Sequence, residues 1–334
     1  MTRRRTATLT LLACTIGLLL PQAAHAQAQT PDRLRYGQIA GSVKSVSSLA
    51  LYTAQRKGFL ARENIALEVV GLPGVHHMIE GLDKNTVDLS HTATPYLIEG
   101  VLRGSSATAV VGGPANTIFS LIAKPDIRSF AELKGKTIAL SLPVDTISIA
   151  TRLLLASHGL KDTDYKTTEM VGTQTRAKCL RSGACDAVPL GQPDDIVFRA
   201  EGFSKLGDSL EVIPVLQFNV IAARRDWAAK NAALVTRFAR AFGAAYVFMR
   251  EPANRNEVAT ILSETTGAPP DVARQMLAFY YDPDRGVMPK QAEISLPGMT
   301  KVIELLGSSG SLKGPLPDAM QFVDLQYLKA AGLQ

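Results

Sequence analysis

The residues of this chain whose types and spacing could do chemistry are few. They are an adjacent histidine pair, His76 and His77, a third histidine, His91, the cations Lys44 and Arg176, Asp145, and the cysteines Cys179 and Cys185. Neighbouring histidines on a helix point about 100° apart, and no carboxylate completes a recognisable metal spacing around them. They are therefore read as polar groups available to a ligand, with no metal and no cofactor expected. Cysteines separated by five residues across a turn suit a disulfide in an oxidising compartment, or two small buried hydrophobes. There is no Gly-x-Ser-x-Gly elbow, no His-Glu-x-x-His, no dinucleotide glycine fingerprint and no phosphate loop. The chemistry left is reversible polar binding, and no enzyme is expected.

Binding of that kind needs hydrogen-bonding groups at strand ends and helix starts. In the first half of the chain Ser47, Ser48, Gly74, Val75, His76, His91, Thr92 and Thr94 hold such places; in the second, Asp145, Thr146, Ser148, Thr173 and Gln192 do. Each serine or threonine has a plainer role as a helix cap. Lys44 and Arg176 are the cations placed to take an anionic headgroup. Asp145 stands before a helix, where a carboxylate can cap the helix, meet a ligand amine or hydroxyl, or repel an anion. Tyr96 and Phe218 are core rings able to stack on a ligand ring.

Positioning such groups is the work of alternating elements. Residues 34–40 read as a strand and 47–57 as a helix, stopped by Gly58 at the left-handed cap position. Ile65, Leu67 and Val69 alternate as a strand should, and Val75, Met78, Ile79 and Leu82 repeat at helical spacing. Further alternation through 87–90, a helix opened by Thr94-Pro95, and 107–111 predicts a doubly wound parallel sheet. Ser129 with Glu132 forms a capping box ahead of a second series: strand 137–140, helix 146–158, strand 167–171, a helix to Arg181, strand 185–190 and a helix entered at Pro193. The chain after Trp227 reads as mostly helical.

Shifting the chain by 98 positions lays Gly74 on Gly172, Leu82 on Leu180, Asp88 on Asp186, Pro95 on Pro193, Ile98 on Ile196 and Gly104 on Gly202. The identities fall at matching structural places, so two similar α/β lobes are expected, with Asp88 and Asp186 structural. Two facing lobes make a cleft, the preferred place for a small ligand.

Composition, with 46% hydrophobic and 20% charged residues over 334 positions, is that of ordinary globular domains. Residues 1–26 combine Arg3, Arg4 and Arg5, a short apolar run and Ala24-His25-Ala26, the pattern of a cleavable export signal that places the mature chain in the periplasm. Leu11-Leu12-Ala13-Cys14 offers a lipoprotein alternative. No later segment is expected to be apolar over the roughly 20 residues needed to span a bilayer. Losing the signal lowers the formal charge from +6 to +3, and no basic face or aromatic stripe points to nucleic acid.

The segment Ala50-Leu-Tyr-Thr-Ala-Gln-Arg-Lys-Gly-Phe-Leu60, then Asn64-Ile-Ala-Leu-Glu-Val-Val70, resembles the opening of the periplasmic solute-binding proteins of the nitrate, sulfonate and taurine ABC transporter group. Relatives of that group bind thiamine-pyrimidine precursors. Segments 81–88, 126–136, 153–160, 181–187 and 322–328 carry the resemblance over nearly the whole mature chain. It implies a type II periplasmic binding fold: lobe 1 from 27–123, lobe 2 from 124–217, and 218–334 returning to lobe 1, with C-terminal helices packing there. It further implies a monomeric hinge-closing binder that delivers a small polar organic solute, a sulfonate or carboxylate, to an ABC permease of the inner membrane. A thiamine-precursor pyrimidine is the alternative ligand, and a sensor subunit for a membrane kinase the alternative role. The fold's relatives also include intracellular pyrimidine-forming and menaquinone-pathway enzymes. Members often carry a Gly-Ser pair near Asp145-Thr146, so this departure bears on the ligand.

Overall fold

Short apolar runs covered on both faces form the sheets of this protein. A computed structural model describes residues 30–40, 43–116, 119–282 and 287–334; residues 1–26, expected to be an export signal, and Cys14 lie outside them. In chain order the strands are β1 (Asp32–Ile39), β2 (Ile65–Leu72), β3 (Leu89–Ala93), β4 (Ala107–Gly112), β5 (Ser120–Ala123), β6 (Thr137–Leu140), β7 (Lys166–Glu169), β8 (Ala187–Leu190), β9 (Ser204–Asp208) and β10 (Asn219–Arg224). The helices are α1 (Leu49–Arg56), α2 (Phe59–Arg62), α3 (His77–Asp83), α4 (Thr94–Leu102), α5 (Thr146–Ser157), α6 (Thr173–Arg181), α7 (Asp194–Ala200), α8 (Arg225–Lys230), α9 (Ala232–Arg250), α10 (Arg255–Thr266), α11 (Pro270–Tyr280), α12 (Leu296–Ser308) and α13 (Gln326–Ala330).

Two sheets result, ordered β2-β1-β3-β10-β4 and β7-β6-β8-β5-β9. The orders are the same pattern written twice. In each, three parallel strands are followed by one antiparallel strand inserted before the edge, β10 between β3 and β4 and β5 between β8 and β9. These inserted strands are the crossovers: β5 carries the chain into lobe 2 and β10 brings it back. The sheets are thus mixed, where alternation alone predicted parallel ones. β5 (Ser120–Ala123) pairs with β8 and β9, so these four residues belong to the second sheet.

Period-two alternation explains the burial. Leu121, Ile138 and Leu140 enter one apolar cluster of lobe 2, while Ile122 and Ala139 enter the cluster on the opposite face. Lobe 1 and the C-terminal helices share a single larger core. Helix α9 anchors it with Val235, Phe238, Phe242, Ala245 and Tyr246. By length and composition α9 can cross a membrane, contrary to expectation. Here it is half buried in the fold, and its Arg240 pairs with Glu63 at 2.7 Å. Gly58 takes φ +67°, the left-handed turn anticipated for it. Gly298 opens α12 against the second crossover, where a Cβ would stand 2.4 Å from the Leu216 carbonyl.

The recurring aspartates behave as a duplicated brace. Asp88 receives the Arg35 backbone N–H at 2.9 Å and the Arg35 guanidinium at 2.6 Å; Asp186 receives the Thr137 N–H at 2.8 Å and Lys124 Nζ at 2.7 Å. Each aspartate also donates its own N–H to the carbonyl of that same partner residue, Arg35 or Thr137. The carboxylate thereby pins the parallel strand that follows it to the start of its neighbour.

Candidate functional site

The strand ends of both lobes face one cavity of about 550 Å³. Lobe 1 supplies the end of β1 (Gln38, Ile39), Ser47, the turn Pro73–Gly74–Val75–His76, the end of β3 (His91, Thr92, Ala93), the first turn of α4 (Pro95, Tyr96), and Phe218 and Asn219 at the returning crossover. From lobe 2 come Ser141, Leu142, the start of α5 (Asp145, Thr146, Ile147) and Val171, Gly172, Thr173 and Arg176 at the start of α6. This is where open α/β sheets bind ligands, beyond the carboxyl ends of their strands.

Of the residues singled out by sequence, Ser47, Gly74, Val75, His76, His91, Thr92, Asp145, Thr146, Thr173 and Arg176 line the cavity. Lys44, Ser48, Thr94, Ser148 and Gln192 do not. Lys44 is exposed, ahead of a tight turn that carries only Ser47 inward. Ser48 is buried behind the wall, accepting the Gln38 side-chain amide. Thr94 is fully buried at the start of α4, and Ser148 has rotated past the cavity on α5, as a step of about 100° per residue requires. Gln192 sits before Pro193, off the lining.

Arg176 dominates the electrostatics. It is 1% exposed, with Nε on the Pro189 carbonyl at 2.9 Å, Nη1 on the Met170 carbonyl at 3.1 Å and Nη2 near Thr173 Oγ1 at 3.4 Å. Burial pulls its pKa down to about 10, with Asp145 and Asp194 pulling the other way, so it stays cationic at neutral pH. No carboxylate forms a salt bridge with it among the described residues. Of its five N–H donors two remain for a ligand.

Asp145 precedes α5 but makes no side-chain cap. Its carboxylate instead accepts the hydroxyls of Tyr96, across the cleft on lobe 1, and of Ser141. Burial, reinforced by Asp145, drives the Tyr96 phenol well above its usual range, which keeps it a donor. The His76 ring meets Tyr96 edge-on at 5.2 Å. His91 is 8% exposed and burial depresses its pKa to about 4. It is neutral at pH 7, so the cleft-side histidines expected to help an anion do not supply charge through His91.

Gln38 and Asn219 escaped the sequence reading. Gln38 ends a strand already recognised, where a polar residue at the carboxyl end was the available signal. Asn219 opens β10, a strand not recognised at all. Cys179 and Cys185 are brought together, their Cα atoms 5.6 Å apart, within the span a disulfide requires. No group of three or more His, Cys, Asp or Glu is placed to hold a metal ion among the described residues.

Two α/β lobes lining one cleft, with a buried cation on its wall, define the class of two-lobed α/β folds of the periplasmic binding protein type. The family model described as NMT1/THI5 like matches residues 45–254, and the chain belongs to that family. Among solved structures, the periplasmic aliphatic sulphonate binding protein SsuA of Escherichia coli is 23% identical with a TM-score of 0.66, covering 88% of this chain and 92% of its own. The periplasmic nitrate-binding protein NrtA of Synechocystis PCC 6803 is 18% identical, TM-score 0.70, covering 90% and 89%. The desulfurization enzyme DSZB is 17% identical, TM-score 0.67, covering 90% and 98%. No curated protein sequence matches the chain.

Proposed function

We propose that this protein is the periplasmic solute-binding component of an ABC uptake transporter and that its ligand is a small organic anion, a sulfonate or carboxylate. The observation that carries the reading is Arg176, a buried guanidinium on the cavity wall with donors to spare and no salt bridge to a carboxylate among the described residues. Burying a cation that no salt bridge satisfies is costly, and an anionic ligand offsets that cost. Closure of the lobes over the anion presents one shape to a permease, and binding requires no covalent step. The sulfonate- and nitrate-binding neighbours support this role.

The test is calorimetry and thermal shift on the mature protein with alkanesulfonates, aromatic and aliphatic carboxylates, nitrate and aminopyrimidines. An organic anion is expected to bind and raise the melting temperature. Binding of none of the anions, or turnover of one of them, overturns the reading. A second ligand, an aminopyrimidine, is favoured by one observation: a carboxylate, Asp145, held beside the Tyr96 ring. Thiol titration of the denatured, unreduced mature protein is expected to find neither Cys179 nor Cys185 free.

A further inference from the structure

We infer that Asp145 is the specificity-determining residue of the cavity, selecting organic anions that also carry a hydroxyl or amino hydrogen-bond donor. This rests on the reading of Arg176 as the anion receptor. A carboxylate on the wall of an anion site is a contradiction unless it has its own work to do. Asp145 does not cap its helix. Tyr96 and Ser141 each donate one hydroxyl to it, and a carboxylate has about four acceptor positions, so capacity remains toward the cavity.

Lobe 1 points the same way independently. Gln38, 2% exposed, has its amide nitrogen committed to Ser48 and its carbonyl oxygen without a partner among the described residues. Asn219, 9% exposed, likewise has an unpartnered side-chain oxygen. Both line the cavity. A carboxylate and a cation thus stand on the cavity wall, and two residues of the same wall hold buried side-chain oxygens that lack a donor. An anion with a purely hydrocarbon body desolvates the Asp145 carboxylate without pairing it, while one with an O–H or N–H supplies it a donor. Sites built to bond a hydroxyl reject analogues lacking it for this reason.

The experiment uses isosteric pairs on the mature protein: 4-hydroxybenzoate against 4-methylbenzoate, and 2-hydroxyethanesulfonate against propane-1-sulfonate. Calorimetry is expected to show the hydroxyl member of at least one pair binding about 10-fold or more tightly. Asp145→Asn should narrow that gap at least about threefold, mainly by improving the methyl member, since it keeps the shape and removes the repulsion. Equal affinity within both pairs, or a gap that survives Asp145→Asn unchanged, overturns the inference while leaving the anion reading intact. If no member of either pair binds while another anion of the wider panel does, the inference is overturned; if no anion binds at all, the anion reading itself has failed. The wild-type comparison needs no variant, so a folding defect in Asp145→Asn cannot obscure the result.

Discussion

Lobe 1 and lobe 2 share a strand order, a bracing aspartate and a glycine turn, yet present opposite walls to the ligand. The 98-residue shift that lays Asp88 on Asp186 also lays Met78 on Arg176. Both are almost wholly buried, on equivalent helices α3 and α6, and both line the cavity. One lobe therefore offers a thioether, a neutral imidazole and carboxamides; the other offers a guanidinium and a carboxylate. The brace recurs because a parallel strand of this kind is pinned to its neighbour by it, whereas the residue at the helix start lines the cavity and differs between the lobes. The bracing residue is common to the two lobes and the cavity-wall residue is not.

The strongest way to break that contrast is to give lobe 2 the residue of lobe 1. Arg176→Met should lower affinity for the bound anion by about 100-fold or more, the effect of removing a charged partner from a desolvated site. Calorimetry measures it, with circular dichroism to confirm the fold. A loss below about fivefold would mean that the anion is held elsewhere.

Next in size is a pH effect that separates the lobes. The His91 pKa in the folded protein is about 4 against an ordinary 6.5, so between those values the unfolded chain binds the extra proton. Its contribution to stability is complete above about pH 6.5 and falls, by about 3 kcal/mol in all, as the pH drops to about 4. In lobe 2, burial opposes ionisation of Asp186, but Lys124 and the Thr137 N–H prevail and hold its pKa below the usual 3.8. Its contribution is therefore lost only below about pH 3.8. Denaturant melts from pH 8 to 3 are expected to lose stability mainly in the upper window, and His91→Asn should flatten it. No slope between 6.5 and 4 would show that His91 titrates normally.

What was legible in the sequence follows the same division. Strands β1, β2, β4 and β6 were read because apolar runs bounded by glycine, proline or caps report burial directly. The crossover strand Ser120-Leu-Ile-Ala123 is four residues, all buried, too short and uniform for any period to show. In the site, Arg176 was legible as a cation opening a helix, while Lys44 looked equivalent and is exposed. The sequence reports which loop a residue occupies but not how a tight turn orients it. The Tyr96 to Asp145 bond joins residues 49 apart in different lobes, and no local pattern contains it.

Smaller effects test the shared scaffold. Asp88→Ala and Asp186→Ala each remove a brace, and each should cost about 1–3 kcal/mol in denaturant melts. In different lobes with no common partner, the double variant should show their sum to within about 0.5 kcal/mol. A clear excess would mean that the two braces interact energetically across the lobes.

The smallest expected effect is the sharpest check on the comparison itself. Met78 occupies the place of Arg176, but its role in lobe 1 is to fill space beneath the cavity, where a buried methionine tolerates a swap of similar volume. Met78→Leu should therefore cost under about 1.5 kcal/mol of stability. It should change anion affinity less than about threefold, because it alters no charge and no hydrogen bond made by a side chain. The backbone contact at this point, Ser90 Oγ donating to the Met78 carbonyl at 2.8 Å, survives the substitution. If Met78→Leu instead weakens binding as much as Arg176→Met, the ligand is held by apolar contact on lobe 1. The charged wall of lobe 2 would then be its boundary and not its anchor.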